Sequence, residues 1–288
     1  MKDQAERLRM QVKMQQTPPK AKTVAVVSGK GGVGKSNFLL NFSVNLSEKG
    51  KRVLLFDMDI GMENIDILLG YTAGRTIVDC FEKGVPLQDV VANVSKNVSL
   101  VCGGTGLAAA FSIDEARFKQ FYDDFVRMET EYDYILFDFG AGIPGQFTEL
   151  VRCVDEVVAI TTPEPASLMD AYSMIKYIHF LNEKIPVSVV CNRAMEEKLG
   201  RAAISRLQST ARDFLGKKVN SLGCLPDSKA VLEAVMSQVP FLVLSPTSDI
   251  SIALNQVTAN YLLNTFHGES TATKSSFLEK LRHFFSGR

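Results

Sequence analysis

Residues 29–36 read GKGGVGKS, and this glycine-rich octet constrains the fold more than any other part of the chain. An apolar run, TVAVVS at 23–28, precedes the octet, and a helical pattern begins at its last residue. The octet fits GxxxxGK followed by Ser or Thr, in which backbone N–H groups surround phosphate oxygens at a helix N-terminus. We therefore expect Lys35 to neutralise phosphate charge and Ser36 to bind Mg²⁺, although a glycine-rich turn can also be merely structural.

Short apolar runs alternate with helical patterns along most of the chain after Lys22. The runs are typical of strands buried on both faces, and they occupy 23–28, 52–57, 98–103, 134–139, 156–162, 186–192 and 219–225. Helices are predicted between most of them and after the last, over Ser36–Glu48, Asp114–Met128, Ser167–Asn182, Arg201–Leu215 and about Ile250–Phe266. This alternation predicts an α/β fold: a single P-loop domain whose mainly parallel sheet is covered by helices on both faces. Ligands of such sheets bind beyond the carboxyl ends of the strands.

The predicted domain occupies residues 22–266, and segments of different composition flank it. Residues 1–21 carry a sparse helical pattern that Pro18 and Pro19 end, so this segment is either a frayed tail or a helix that orders on a partner. After a polar linker at 267–273, residues 274–288 form a second helical segment. Its apolar side chains form one stripe beside basic residues, and this stripe either binds lipid or packs on the protein itself: Phe277, Leu278, Leu281, Phe284 and Phe285.

Composition and charge argue against several classes of protein. The chain of 288 residues has 32 basic and 32 acidic side chains, so no overall field attracts nucleic acid, and we expect no nucleic-acid partner. The five cysteines are widely spaced without a CxxC pair, which predicts reduced thiols rather than a disulfide or zinc framework. No apolar run approaches the about 20 residues that span a bilayer, and the N-terminus is too polar for a signal peptide. We therefore expect a cytoplasmic protein.

Polar side chains end several of the predicted strands. Asp57 and Asp59 follow the second strand, and Asp138 ends the fourth. Two acidic residues at the end of one buried strand are costly without a cation, so Asp57 and Asp59 fit a metal–phosphate site; a helix cap explains one of them but not both. Asn192 and the pair Pro226-Asp227 end the last two strands, where such residues also form ordinary turns.

The additional lysine of the octet, Lys30, is followed by two glycines and resembles the deviant phosphate loop of the MinD/ParA family of ATPases. In that family this lysine crosses a dimer interface and contacts the nucleotide held by the other subunit. The resemblance covers about residues 22–265 and implies slow, dimerisation-dependent hydrolysis of ATP to ADP with Mg²⁺.

The same resemblance implies a role for each matching residue. The catalytic residues would be Lys30, Lys35 and Asp59, with Asp59 orienting the attacking water, and the metal would be held by Ser36, Asp57 and Asp138. Nucleotide would contact Gly29, Gly31, Gly32, Val33, Gly34, Lys35, Ser36 and Asn37, with Asn192, Pro226 and Asp227 at the base. Relatives often have proline in the second switch, whereas this chain has Phe139 and Gly140 there.

The N-terminal sequence DQAERLR at 3–9 matches the DQAxxLR motif of the FlhG (also called YlxH) family, a branch of the same group. The resemblance implies an ATP-dependent homodimer, recruited reversibly to anionic lipid on the inner face of the cell membrane, that regulates the number and placement of bacterial flagella. It implies that residues 1–21 stimulate FlhF, a GTPase of the signal-recognition-particle type, through Asp3, Gln4, Leu8 and Arg9. Components of the flagellar C-ring are further implied partners.

Three other assignments within the MinD/ParA group remain open at this point. A MinD division-site ATPase usually begins almost directly with its first strand, which this chain does not. A ParA partition ATPase should carry a basic patch or an added DNA-binding segment. An iron–sulfur carrier needs paired cysteines at the dimer axis; Cys102 is present, but Cys153 lies too far beyond Asp138 to pair with it.

Overall fold

The structure is a computed structural model that describes residues 20–59, 65–104, 115–141, 148–267 and Phe277. Its strands are β1 Lys22–Ser28, β2 Val53–Met58, β3 Val91–Ser95, β4 Val98–Val101, β5 Tyr134–Ala141, β6 Glu156–Thr161, β7 Val187–Ala194 and β8 Val219–Pro226. They form one sheet in the order β3-β4-β2-β5-β1-β6-β7-β8. β3 and β4 pair antiparallel, and every other pair of neighbouring strands is parallel. The predicted α/β fold and all seven predicted strands are confirmed.

β3 is the strand that sequence reasoning missed. It reads VANVS, pairs antiparallel with β4 at the sheet edge, and alternates between half-buried and exposed positions. A strand covered on one side only has no continuous apolar run, so it lacks the pattern by which the other strands were predicted.

Helices cover both faces of the sheet. They are α1 Lys35–Glu48, α2 Ile65–Leu68, α3 Ile77–Lys83, α4 Glu115–Glu131, α5 Thr148–Cys153, α6 Pro165–Leu181, α7 Glu197–Leu215, α8 Lys229–Ser237, α9 Phe241–Leu244 and α10 Asp249–His267. One hydrophobic core lies under α3 to α7, and a second lies under α1, α2 and α8 to α10. The predicted helices are confirmed, with boundaries shifted by a few residues.

Local sequence patterns account for this two-sided burial. In β1, Ala25 and Val27 face one core while Val24 and Val26 face the other, because successive side chains of a strand point to opposite faces. In α7, Ala203, Ile204, Leu207 and Ala211 are buried at helical spacing, and charged residues occupy the opposite side. Within the described ranges, no helix combines the length and the apolar character that a membrane crossing requires.

Phe277 is the one described residue of the C-terminal segment, and it is buried in the core beneath α4. Its ring centroid lies 5.2 Å from that of Phe125 and 5.6 Å from that of Phe137, and only 2% of the residue is exposed. Of the two alternatives for the apolar stripe, Phe277 therefore shows packing on the protein itself. The other predicted stripe residues, Leu278, Leu281, Phe284 and Phe285, lie outside the described residues, as do Asp3, Gln4, Leu8 and Arg9 of the N-terminal motif.

Candidate active site

The glycine-rich octet connects β1 to α1 and forms a tight loop at the carboxyl edge of the sheet. Gly34 adopts a left-handed conformation with φ +83°, and a Cβ there would lie 2.5 Å from Nδ2 of Asn192. That amide group donates a hydrogen bond of 2.8 Å to the carbonyl oxygen of Val33. Glycine is therefore required both by backbone conformation and by the close approach of β7.

Lys35 and Ser36, the first two residues of α1, are buried at the base of this loop. The Lys35 ammonium donates a hydrogen bond to Oδ1 of Asp138 and lies 3.6 Å from Oδ2 of Asp59. It also lies 3.4 Å from Oγ of Ser36. Three of the strand-end and loop positions predicted from sequence thus meet around one ammonium group.

Asp57 and Asp138 are direct neighbours on the paired strands β2 and β5. The two oxygens of Asp57 accept hydrogen bonds of 3.1 Å from the backbone N–H groups of Asp59 and Ile65, so Asp57 also holds the start of α2. Burial, and next the Asp138 carboxylate, raise the pKa of Asp57 to about 7. Burial likewise raises the pKa of Asp138, and the Lys35 ammonium opposes this shift.

This arrangement fits a divalent cation. Three carboxylates, those of Asp57, Asp59 and Asp138, gather near one ammonium, so the described site carries an excess of negative charge. Oδ2 of Asp138 is buried and accepts no hydrogen bond from any described residue. Because the described residues contain no cluster of three His, Cys, Asp or Glu suited to direct ligation, Mg²⁺ would rely on the Ser36 hydroxyl, phosphate oxygens and carboxylates acting through water.

Asp59 touches the second switch at Gly140. A Cβ on Gly140 would lie 2.5 Å from Oδ1 of Asp59, closer than real Cβ atoms approach an oxygen. The absence of a side chain here lets the end of β5 approach the segment after β2. This contact gives a structural reason for the glycine found where relatives often have proline.

Lys30 stands apart from this group. Its ammonium lies 3.5 Å from Oε2 of Glu164, the residue before α6, and about half of the Lys30 side chain is exposed. Lys35 contacts the buried carboxylates, whereas Lys30 is held on the outer side of the same loop. The predicted catalytic residues Lys35 and Asp59 are thus brought together, and Lys30 is not joined to them within one chain.

A cavity of about 470 Å³ adjoins the loop and lies between the ends of β7 and β8. Its walls include predicted nucleotide-binding residues from the octet and from both strand ends: Gly32, Gly34, Ser36, Asn37, Asn192, Pro226 and Asp227. The volume suits a small-molecule ligand, and its apolar walls suit the flat face of a base.

Arg193 is a lining residue that sequence reasoning missed. It has a positive φ of 55°, which is uncommon outside glycine, and its Nη1 donates a bond of 3.5 Å to the carbonyl oxygen of Gly32. Its Nε lies 3.8 Å from Oδ1 of Asp227. Arg193 therefore links the loop, β7 and β8 across the cavity. In the sequence, only its position directly after the predicted nucleotide-binding residue Asn192 pointed to a place at the site.

Comparisons with known proteins agree with this geometry. The model of a family described as "ParA: NUBPL iron-transfer P-loop NTPase" matches residues 20–262. The antiactivator FleN of Pseudomonas aeruginosa is 31% identical over 81% of this chain and 84% of its own length. The flagellum site-determining protein YlxH of Helicobacter pylori is 30% identical over 82% of this chain and 80% of its own. The Mg-ADP complex of MinD from Pyrococcus horikoshii shares the fold, with TM-score 0.69 and 22% identity over 88% of this chain and all of that one.

Proposed function

Because the chain belongs to the MinD/ParA family of P-loop ATPases, in its FlhG (YlxH) branch, we propose that ATP switches it between a monomer and a homodimer. Membership of this family shows that the chain is an ATPase, and its relatives FleN and YlxH support a role in regulating flagellar number. The observation that carries the dimer proposal is the separation of the two loop lysines. Lys35 sits among the buried carboxylates, while Lys30 contacts Glu164 on the outer side of the loop.

The residues at the sheet edge have different roles in phosphoryl transfer. Lys35 neutralises phosphate charge, and the backbone of the loop holds the phosphate oxygens. Asp59, in contact with Gly140, orients the attacking water. Ser36, with Asp57 and Asp138, would hold Mg²⁺, which would supply positive charge beyond that of Lys35.

Lys30 of each subunit would complete the site of the other. An exposed lysine beside the phosphate loop has the reach to cross a two-fold interface, and a second positive charge at the phosphates favours the transition state. One chain by itself lacks this charge, so we propose that hydrolysis is slow in the monomer and that ATP occupancy sets the lifetime of the dimer.

The two terminal segments would connect the nucleotide state of the chain to its partners. We propose that residues 1–21 stimulate an FlhF-type GTPase through Asp3, Gln4, Leu8 and Arg9. The helix at 274–288 would bind anionic lipid weakly as one copy and more tightly as two on a dimer, through effective concentration. Lipid binding requires Phe277 to leave its contacts with Phe125 and Phe137. C-ring components remain further proposed partners.

The test of the dimer is molar mass in solution, measured by light scattering with ADP and with ATP. We expect the wild type to dimerise with ATP only, and Lys30→Ala to stay monomeric while still binding nucleotide. Lys49→Ala removes an equally exposed lysine after α1 and should behave as wild type. Glu164→Gln frees Lys30 from its ion pair and should dimerise at least as well as wild type. A Lys30→Ala variant that dimerises normally with ATP contradicts the proposal.

A further inference from the structure

Two cysteines lie side by side at the carboxyl ends of β7 and β8. Cys191 and Cys224 lie directly opposite each other in the register of these two parallel strands. Neighbouring strands are about 4.8 Å apart, which falls within the Cα separation that a disulfide spans. Both side chains belong to the core beneath α6 and α7. Neither thiol has a part in the phosphate site.

The two thiols differ in their access to solvent. Cys191 is fully buried, whereas Cys224 is partly exposed and lines a cavity of about 710 Å³ between α7, β8 and α10. A small reagent can therefore reach Cys224 directly, and Cys191 only through Cys224.

The surroundings of the pair also favour reaction at Cys224 before Cys191. The neighbouring Cys191 thiol lowers the pKa of Cys224; burial and Glu197, which also lines the cavity, oppose this shift, and Arg201 supports it. The neighbouring Cys224 sulfur, and next burial, raise the pKa of Cys191. A partly exposed thiol with a lowered pKa, next to a second thiol, is the arrangement found at redox-sensitive cysteines.

The other cysteines lack these features. Burial raises the pKa of both Cys80 and Cys102 to about 12, so their thiols remain protonated. Cys153 is only 2% exposed. The contrast distinguishes the pair from thiols that serve only as small apolar side chains.

We propose that Cys191 and Cys224 form a reversible redox site, which hydrogen peroxide oxidises to an intramolecular disulfide. The Cys224 thiolate attacks one peroxide oxygen, the O–O bond breaks, and the departing hydroxide takes a proton to become water. Cys191 then attacks the sulfur of the resulting sulfenic acid, and its proton leaves with the hydroxyl group as a second water. Two thiols and one peroxide thus give one disulfide and two waters, and a thiol reductant reverses the change.

The position of the pair links it to the cavity at the phosphate loop. Asn192, whose amide holds the loop at Val33, directly follows Cys191, and Pro226 lies two residues after Cys224. A disulfide between the strands would hold the two sulfurs about 2 Å apart. Because Asn192 and Pro226 line the cavity, we expect oxidation to weaken nucleotide binding by roughly tenfold, a loss of about 1.4 kcal/mol.

The experiment titrates the reduced full-length chain with hydrogen peroxide, alkylates the remaining thiols and maps them by mass spectrometry. Of the five free cysteines, we expect two to be lost, in a linked peptide pair containing Cys191 and Cys224, with recovery after dithiothreitol. ADP affinity is measured on the same samples. A disulfide between two chains, loss of thiols at other cysteines only, or no loss at all overturns the proposal.

Single variants separate the roles of the two sulfurs. Cys191→Ser should stop at a sulfenic acid on Cys224 that dimedone labels, and Cys224→Ser should leave Cys191 unreactive. Cys80→Ser removes a thiol elsewhere and should form the disulfide like wild type. Thermal melting reports whether each variant folds. If a variant does not fold, the mass-spectrometric mapping of oxidised cysteines in the wild type decides whether the disulfide forms. An unchanged ADP affinity after full oxidation overturns the link to the nucleotide cavity.

Discussion

The ammonium of Lys35 donates a hydrogen bond to Oδ1 of Asp138, and both residues are buried at the carboxyl edge of the sheet. This pair joins the start of α1 to the end of β5 across a separation of 103 residues. The same lysine is the residue that the loop motif assigns to phosphate. If phosphate binds at Lys35 as proposed, it will compete with Asp138 for the same ammonium group.

We expect Asp138→Asn to lower the rate of ATP hydrolysis by about 100-fold or more, because it removes a charge that holds the metal and the lysine in place. Phosphate release at saturating Mg-ATP measures the effect. Asp123→Asn, on the exposed side of α4, makes the same chemical change away from the site and should hydrolyse ATP at the wild-type rate. Hydrolysis by Asp138→Asn within a few-fold of wild type would exclude Asp138 from the site.

Asp57→Asn should stabilise the chain in the absence of metal and nucleotide. Burial raises the pKa of Asp57 from 3.8 to about 7, so its ionised form destabilises the folded state, and this destabilisation is complete above pH 7. At about pH 8 we expect the free energy of unfolding to rise by about 1–2 kcal/mol. The rise is limited because the amide loses one of the two backbone hydrogen bonds that the carboxylate accepts. Denaturant unfolding measures it, with the exposed Asp213→Asn as the control. A loss of stability would contradict the burial argument.

Gly140→Ala should impair hydrolysis more than nucleotide binding. Its Cβ would lie 2.5 Å from Oδ1 of Asp59, so the carboxylate that we propose orients the attacking water must move. We expect kcat to fall by roughly tenfold while ADP affinity stays near the wild-type value. Gly74→Ala places a Cβ in open space without left-handed backbone and serves as the matched control. An unchanged kcat would show that Asp59 does not act from this position.

Two changes test the two environments of the C-terminal segment: Phe277→Ala for packing in the core, and deletion of residues 274–288 for lipid binding. Losing a buried ring against Phe125 and Phe137 should lower the free energy of unfolding by about 1–3 kcal/mol, with detachment of the segment limiting the loss.

Removing residues 274–288 should abolish ATP-dependent co-sedimentation with anionic vesicles. Phe180→Ala changes a 72% exposed ring on α6 and should leave both properties unaltered. Undiminished vesicle binding after the deletion would assign the segment to the protein's own surface alone.

A peptide of residues 1–22 should raise the turnover of an FlhF-type GTPase, because the proposed activator acts in trans as a short helix. A matched peptide with Gln4→Ala should stimulate less if that amide positions water, whereas scrambled sequence of the same composition should be inactive. GTP hydrolysis under multiple turnover measures all three. A flat titration with the native peptide would refute the activator proposal.

The sequence by itself determined the fold class and most of the site. Strand runs, helix periodicity and the GKGGVGKS octet are local patterns, and parallel strands necessarily bring their carboxyl ends to one edge. The family resemblance assigned Lys35, Asp59 and Asp138 to one site, and the structure brings the three together. Membership of the MinD/ParA group also followed, because Lys30 and its neighbouring glycines are contiguous in the chain.

Only the tertiary structure decided which side chains touch. The contact between Gly140 and Asp59, the bridge made by Arg193, the pairing of Cys191 with Cys224 and the burial of Phe277 depend on strand order and register. Periodicity records which face of an element is apolar, but it does not record which neighbour that face meets. Such contacts arise from packing between residues distant in the chain, and the proposals for the redox site and for the C-terminal segment rest on them.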